Sequence, residues 1–177
     1  MLLFLDFDGV LHGLGEPPFA RLPRLESILR DHPQVEVVLS TSWREAYGLE
    51  KLKGLFSPDM RGRVIGQTPV IDDPYTPAGY RRHHRYREVM LYLEREQIDG
   101  RPWLALEDDR SNFPENLPNV VWCSDTTGLD AAAEARLREL LASLSGKGVH
   151  AGEDTPGGHV RLQRGNPIGL VSNGLTQ

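Results

Sequence analysis

The sequence predicts an α/β domain: a three-layer, Rossmann-like arrangement in which a central parallel sheet carries helices on both faces. Short apolar runs recur along the chain, as in "LLFLDF" (2–7), "VEVVLS" (35–40), "WLALED" (103–108) and "NVVWCS" (119–124). Segments with helical spacing of apolar residues separate them. The strand runs are apolar throughout rather than alternating, which is the pattern of a sheet covered on both sides.

The elements follow in order. "LLFLDF" is the first strand. In "LPRLESILRDH" (22–32), Leu22, Leu25, Ile28 and Leu29 fall on one helical stripe, and Pro23 is tolerated in a first turn. "VEVVLS" is β-branched and strand-like. "SWREAYGLEKLKGLF" (42–56) reads as a helix interrupted at Gly48 and ended near Gly54. "GRVIG" (62–66) is a short strand. "RYREVMLYLEREQ" (85–97) is a helix with Val89, Met90, Leu93 and the ring of Tyr92 on one side. The strands "WLALED" and "NVVWCS" come next, then the Ala- and Leu-rich helix "LDAAAEARLRELLASL" (129–144). Residues 1–145 are expected to form one domain. From Gly146 onward the hydrophobic period is lost, and eight of the 18 glycines fall in the last 32 residues. A flexible Gly/Pro-rich tail over 146–177 is expected, with a short strand at "HVRLQ" (159–163).

Composition narrows the function classes. With 177 residues, 39% of them hydrophobic, the chain can build one compact core but not two ordinary domains. A net charge of −5 argues against a protein that coats nucleic acid through global basicity, though not against a local basic patch. The single cysteine, Cys123, excludes an intrachain disulfide and a multi-cysteine metal site, and its place after "VVW" suggests a core thiol. The N-terminal apolar run is too short for a signal sequence, and no stretch approaches the ~20 apolar residues of a membrane span. A soluble, cytoplasmic protein with no membrane partner is expected.

In a parallel sheet, ligands bind beyond the carboxyl ends of the strands. Those positions hold Asp6 and Asp8 after the first strand, Ser40, Thr41 and Ser42 after the second, and Glu107, Asp108 and Asp109 after "WLAL". The basic run "YRRHHRYR" (80–87) leads into the 85–97 helix. Each has a plain structural reading. Acids after strands cap turns, Ser42 with Glu45 makes a capping box, and charge runs are commonly solvated. Their recurrence at successive strand ends points instead to one site.

The chemistry this set suits is phosphoryl transfer through an aspartyl intermediate. A carboxylate can attack phosphorus, a hard cation such as Mg²⁺ offsets the repulsion between the two anions, and hydroxyl and guanidinium groups bind the phosphoryl oxygens. A second acid protonates the leaving oxygen and then activates water. Gly9 lets the chain turn sharply away from the site.

"LDFDGVLH" resembles the first motif of the haloacid dehalogenase (HAD) superfamily. "VVLSTSWR" (37–44) resembles its second motif and "WLALEDDR" (103–110) its acidic fourth. The resemblance spans about residues 1–145 and is nearest to the small HAD domains of "Swiss army knife" RNA-repair proteins. The phosphatase half of polynucleotide kinase–phosphatases is more distant. The resemblance implies Asp6 as nucleophile and metal ligand. It implies Asp8 as general acid/base, its backbone carbonyl also on the metal. Ser40 would bind the phosphoryl group, with Gly9, Thr41 and Ser42 beside it. A basic residue leading into the 85–97 helix would stabilise the intermediate. Arg85 fits best and Arg82 is the rival, because the family's usual lysine is absent and an arginine must substitute. The acid pair completing the Mg²⁺ site is Glu107–Asp108 or Asp108–Asp109.

Relatives with cap domains insert them after the first or second motif. Here the first insertion, 12–23, is too short, and the second, about 45–80, reads as a helix and a Pro-containing loop. An open site with minimal or no cap is expected, suited to a large phosphorylated substrate such as a nucleic-acid end. The run "RRHHRYR" would suit a polyphosphate backbone and a stacked base, or be a solvated helix start. His83 and His84 lack a third ligand at suitable spacing, and Trp43 and Trp122 are expected to pack. The alternatives are a phosphatase for a small metabolite or nucleotide and a catalytically silent HAD-fold binding module.

Overall fold

A computed structural model describes residues 1–71 and 82–146. The tail beyond 146, including the strand expected at 159–163, lies outside the described residues, as does the start of the basic run. Five parallel strands form one sheet: β1 (Leu2–Leu5), β2 (Glu36–Leu39), β3 (Val64–Gln67), β4 (Trp103–Glu107) and β5 (Val120–Trp122), in the order β3-β2-β1-β4-β5. The helices are α1 (Leu22–Asp31), α2 (Leu49–Lys53), α3 (His84–Arg95) and α4 (Ala131–Gly146).

Alternation along β1 explains the three layers. Leu3 and Leu5 lie in a core with Leu25, Ile28 and Leu29 of α1 and Leu137 and Leu141 of α4. Leu2 and Phe4 point the other way, into a core with Val89, Tyr92 and Leu93 of α3. All four β1 side chains are buried, so the strand must be apolar at every position. Phe4 is fully buried and meets Tyr92 and Trp103 edge to face, with ring centroids 5.8 and 5.7 Å away. α1 begins with Pro23 in its first turn. Beyond its end, the guanidinium of Arg63 donates to the carbonyls of Leu29, His32 and Val35, satisfying acceptors that the last helical turn and the following loop leave open.

The 42–56 segment divides at Gly48 rather than forming one interrupted helix. Ser42–Glu45 is a 3₁₀ turn, and α2 follows as a separate short helix capped by Gly48 and Gly54. No α-helix separates β4 from β5; a 3₁₀ turn at Arg110–Asn112 makes that crossover. Strictly alternating strands and helices are therefore not what this end of the sheet uses. Among the described residues, neither insertion contributes a further domain, and no helix is long and apolar enough to cross a membrane. Cys123 is buried, and burial pushes its thiol up to about 12.

Replacing Phe4 by alanine removes the ring that joins β1 to α3 and β4. It should cost about 3–5 kcal/mol of unfolding free energy, measured by urea denaturation.

Candidate active site

Strand register places the site. The parallel ladders pair Leu5 with Leu39 on one side and with Leu106 on the other. One step further along puts Asp6 level with Ser40 and with Glu107. The Ser40 N–H donates to the Leu5 carbonyl at 2.8 Å, and that of Asp6 to the Leu106 carbonyl at 3.3 Å. By alternation, Asp6 follows Phe4, Ser40 follows Val38 and Glu107 follows Ala105, all residues of the core under α3. Three polar groups thus face α3 at one level, and Arg85 in the first turn of α3 arrives on that face, buried. The strand order reverses between β1 and β4, which is where such sheets open a crevice.

Asp6, Glu107 and Asp108 each present a carboxylate oxygen, all within 4.8 Å of one another. Burial pushes Asp6 up to about 6, against the Arg85 charge, the Phe7 N–H (2.7 Å) and the Thr41 hydroxyl, which all pull it down. Burial, then the charge of Asp6, push Glu107 up to about 8. Asp108 is raised as well, chiefly by burial. One oxygen of Glu107 is fixed by the Asn112 amide and the Asp109 N–H, both at 3.1 Å. Three hard oxygen donors that repel one another fit a divalent cation such as Mg²⁺. Gly9 is part of this fit. Its φ is +64°, and a Cβ there would stand 2.1 Å from Oδ2 of Asp108. Only glycine combines that backbone with so close an approach.

Beside the acids lie two buried donors without a hydrogen-bond partner among the described residues, Oγ of Ser40 and Nε of Arg85. Unsatisfied buried donors are costly, so the pair suits an acceptor brought by a ligand. Asp8 stands at the mouth, its side chain 56% exposed. The indole N–H of Trp43 donates to its two oxygens at 3.0 and 3.2 Å, and Nε2 of His12 lies 3.3 Å away. Trp43 is in turn wedged edge to face against Phe7 and Phe19. An open pocket of about 420 Å³ adjoins Asp8 and Asp108, with His12, Leu14 and Glu16 on its wall.

The structure brings together Asp6, Gly9, Ser40, Thr41, Arg85, Glu107 and Asp108, with Asp8 at the rim. It separates others. Asp109 is exposed, and its carboxylate caps the Arg110–Asn112 turn by accepting from the Ser111 N–H at 2.8 Å, so it stands outside the acid group. The Asp8 carboxylate is held by Trp43 and His12 at the rim, and the metal contact expected of Asp8 is that of its backbone carbonyl, not of this carboxylate. Ser42 is exposed, and Thr41, not a Ser42–Glu45 box, caps the turn by accepting from the Trp43 N–H. Arg82 is exposed and forms no hydrogen bond or ion pair with another described residue. Neither His83 nor His84 joins a group of three metal-ligating side chains among the described residues. Trp43, expected only to pack, also holds Asp8. Sequence reasoning assigned no role at the site to Trp43, His12, Arg44 or Glu88. Trp43 and Arg44 stood within "STSWR", and Glu88 stands one helical turn after Arg85, the one spacing that could have flagged it.

A five-stranded parallel sheet with an acid-lined carboxyl edge, led by Asp-x-Asp-Gly on the central strand, defines a domain of the HAD superfamily. The family model described as "HAD domain in Swiss Army Knife RNA repair proteins" matches residues 2–133, and the chain belongs to that family. Domains of this superfamily are generally phosphatase-type hydrolases. No curated protein and no solved structure matches the chain.

The raised carboxyls set a pH dependence. Between the ordinary carboxylate range near 4 and the folded values of about 6 and 8, the folded chain holds protons that the unfolded chain has released. Stability of the metal-free protein should therefore fall as pH rises through that window. Mg²⁺ should raise Tm more at about pH 8 than at about pH 5, because its ligands must be deprotonated. Gly9→Ala should abolish that Mg²⁺-dependent shift, as read by thermal unfolding with and without the ion.

Proposed function

We propose that this chain is a Mg²⁺-dependent phosphomonoesterase that works through an aspartyl-phosphate on Asp6. The observation that carries the reading is the level formed by Ser40, Asp6 and Glu107, with Arg85 facing it from α3. Asp6 supplies the nucleophilic oxygen. As its bond to phosphorus forms, the bond to the leaving oxygen breaks, and Asp8 gives that oxygen a proton. Asp8 then takes a proton from water as the water attacks phosphorus. The Asp6–phosphorus bond breaks, and phosphate and the free carboxylate result. The Ser40 hydroxyl and the Arg85 guanidinium hold the phosphoryl oxygens. Asp6, Glu107 and Asp108 would hold Mg²⁺, which supplies positive charge between the carboxylate and the phosphoryl group. Asp8 suits a proton carrier because it is exposed to the pocket yet oriented by Trp43 and His12.

A large substrate such as an RNA end is favoured by the open pocket, by the absence of an inserted domain among the described residues, and by the RNA-repair description of the matching family. The experiment is steady-state hydrolysis of an aryl phosphate with Mg²⁺ and with chelator, then of phosphorylated RNA ends against mononucleotides and sugar phosphates. Chelation should abolish turnover. Asp8→Asn should lower kcat by about 10²–10⁴-fold. Asp6→Asn should be at least as damaging, and the double variant no worse than Asp6→Asn alone, since both residues serve one path. Full activity in Asp6→Asn would sink the mechanism. Strong selectivity for one small metabolite would replace the RNA-end reading.

A further inference from the structure

Arg85 poses a positioning problem. A guanidinium on a long side chain must be held at an edge before it can act as a fixed charge. Glu88, one turn further along α3, lies with Oε2 3.1 Å from Nη1 of Arg85 and 2.6 Å from Nη2 of Arg44. The three side chains are 7%, 3% and 0% exposed, in the order Arg85, Glu88, Arg44. Arg44 is itself tied down. Its Nε donates to the Thr68 carbonyl at 3.1 Å and its Nη1 to the Thr41 carbonyl. Thr41 and Thr68 lie just beyond the ends of β2 and β3, and the Thr68 N–H donates to the Leu39 carbonyl at 2.9 Å. A chain of contacts thus runs from the sheet edge to Arg44, from Arg44 to Glu88 and from Glu88 to Arg85.

The charges agree with this order. Two buried cations share one anion, which leaves one positive charge facing Asp6, where Arg85 is the strongest of the influences that favour the carboxylate. Burial and the Arg85 charge pull the pKa of Arg44 down, and Glu88 opposes both. Removing Glu88 would leave two guanidinium groups buried against each other.

We propose that Arg44 and Glu88 are positioning residues, a buried clamp that sets the Arg85 guanidinium against Asp6 and so allows an arginine to serve as the cation of this site. The kinetic arm of the test rests on the phosphatase reading above; the spectroscopic arm does not.

In ¹⁵N NMR of the wild-type protein, the Nη groups of Arg44 and Arg85 should give separate signals, because rotation about Nε–Cζ is blocked. Arg85 signals averaged by free rotation would overturn the clamp, whatever the enzyme does. In Glu88→Gln the Arg85 signals should collapse, and kcat should fall by up to about 10²-fold. Arg85→Lys should cost little more in that background than Glu88→Gln alone, and Glu88→Asp should recover part of the rate. If Glu88→Gln does not fold, Glu88→Asp and the wild-type spectrum carry the same decision. A lowered Tm with kcat within twofold of wild type, or strictly additive effects of Glu88→Gln and Arg85→Lys, would show that the triad only anchors α3 and would overturn the proposal. If the wild-type protein turns over no phosphate ester, the phosphatase reading fails and the spectra alone decide the clamp.

Discussion

Asp6 is a carboxylate taken almost wholly out of water, with two further carboxylates against it and one arginine across from it. Keeping a charge there is unfavourable by itself. The parallel ladder fixes its position, because a residue just past the central strand has neighbours on both sides and no freedom to move outward. The glycine after Asp8 fixes how near Asp108 can come. Burial raises the pKa of Asp6, and the Arg85 charge, the Phe7 N–H and the Thr41 hydroxyl oppose that rise. On the phosphatase reading proposed above, a phosphoryl group and a cation together would balance such a site, and the unpartnered Ser40 hydroxyl and Arg85 Nε are the donors that would meet the phosphoryl oxygens.

The same constraint accounts for the division of the molecule. The face of α1 and α4 is almost wholly apolar near the sheet, whereas the face of α3 becomes polar at the carboxyl edge. There Arg85, Glu88 and Arg44 replace hydrophobic packing. The opposite rim is organised by Trp43, which packs on Phe7 and Phe19 through its ring and holds Asp8 through its N–H. One residue after the "STS" run therefore holds Asp8, and the next meets Glu88, which also meets Arg85. Both contacts start from the short turn after β2.

Much of the fold could be read from the chain because its strands are covered on both sides. Runs such as "LLFL" and "WLAL" cannot face solvent, and the residue that ends each run is the first free to carry chemistry. Asp6, Ser40 and Glu107 were visible for that reason, and Gly9 was visible because a turn must follow. The remainder depends on tertiary facts. Whether Asp109 or Glu107 joins Asp108 is settled by a local cap, since the Asp109 carboxylate accepts from the Ser111 N–H and turns outward. The helix between Ser42 and Phe56 broke at Gly48 because Thr41 starts a 3₁₀ turn that aims Trp43 and Arg44 in opposite directions. The direction of an indole N–H or of a buried guanidinium has no period, so no pattern in the chain announces it. The β4–β5 crossover without an α-helix was readable, since no helical pattern stands between "WLALED" and "NVVWCS" and twelve residues suffice to join parallel neighbours.

The most direct test of the account is to capture phosphorus on Asp6. Asp8→Asn should still be phosphorylated by an aryl phosphate whose leaving group needs no proton, while hydrolysis of the intermediate is slowed because water lacks its base. Rapid acid quench followed by peptide mass spectrometry should then find one phosphoryl group on the peptide that carries Asp6, formed with Mg²⁺ and not with chelator. A phosphoryl group on any other residue, or an active wild-type enzyme in which Asp8→Asn never accumulates one, would contradict it.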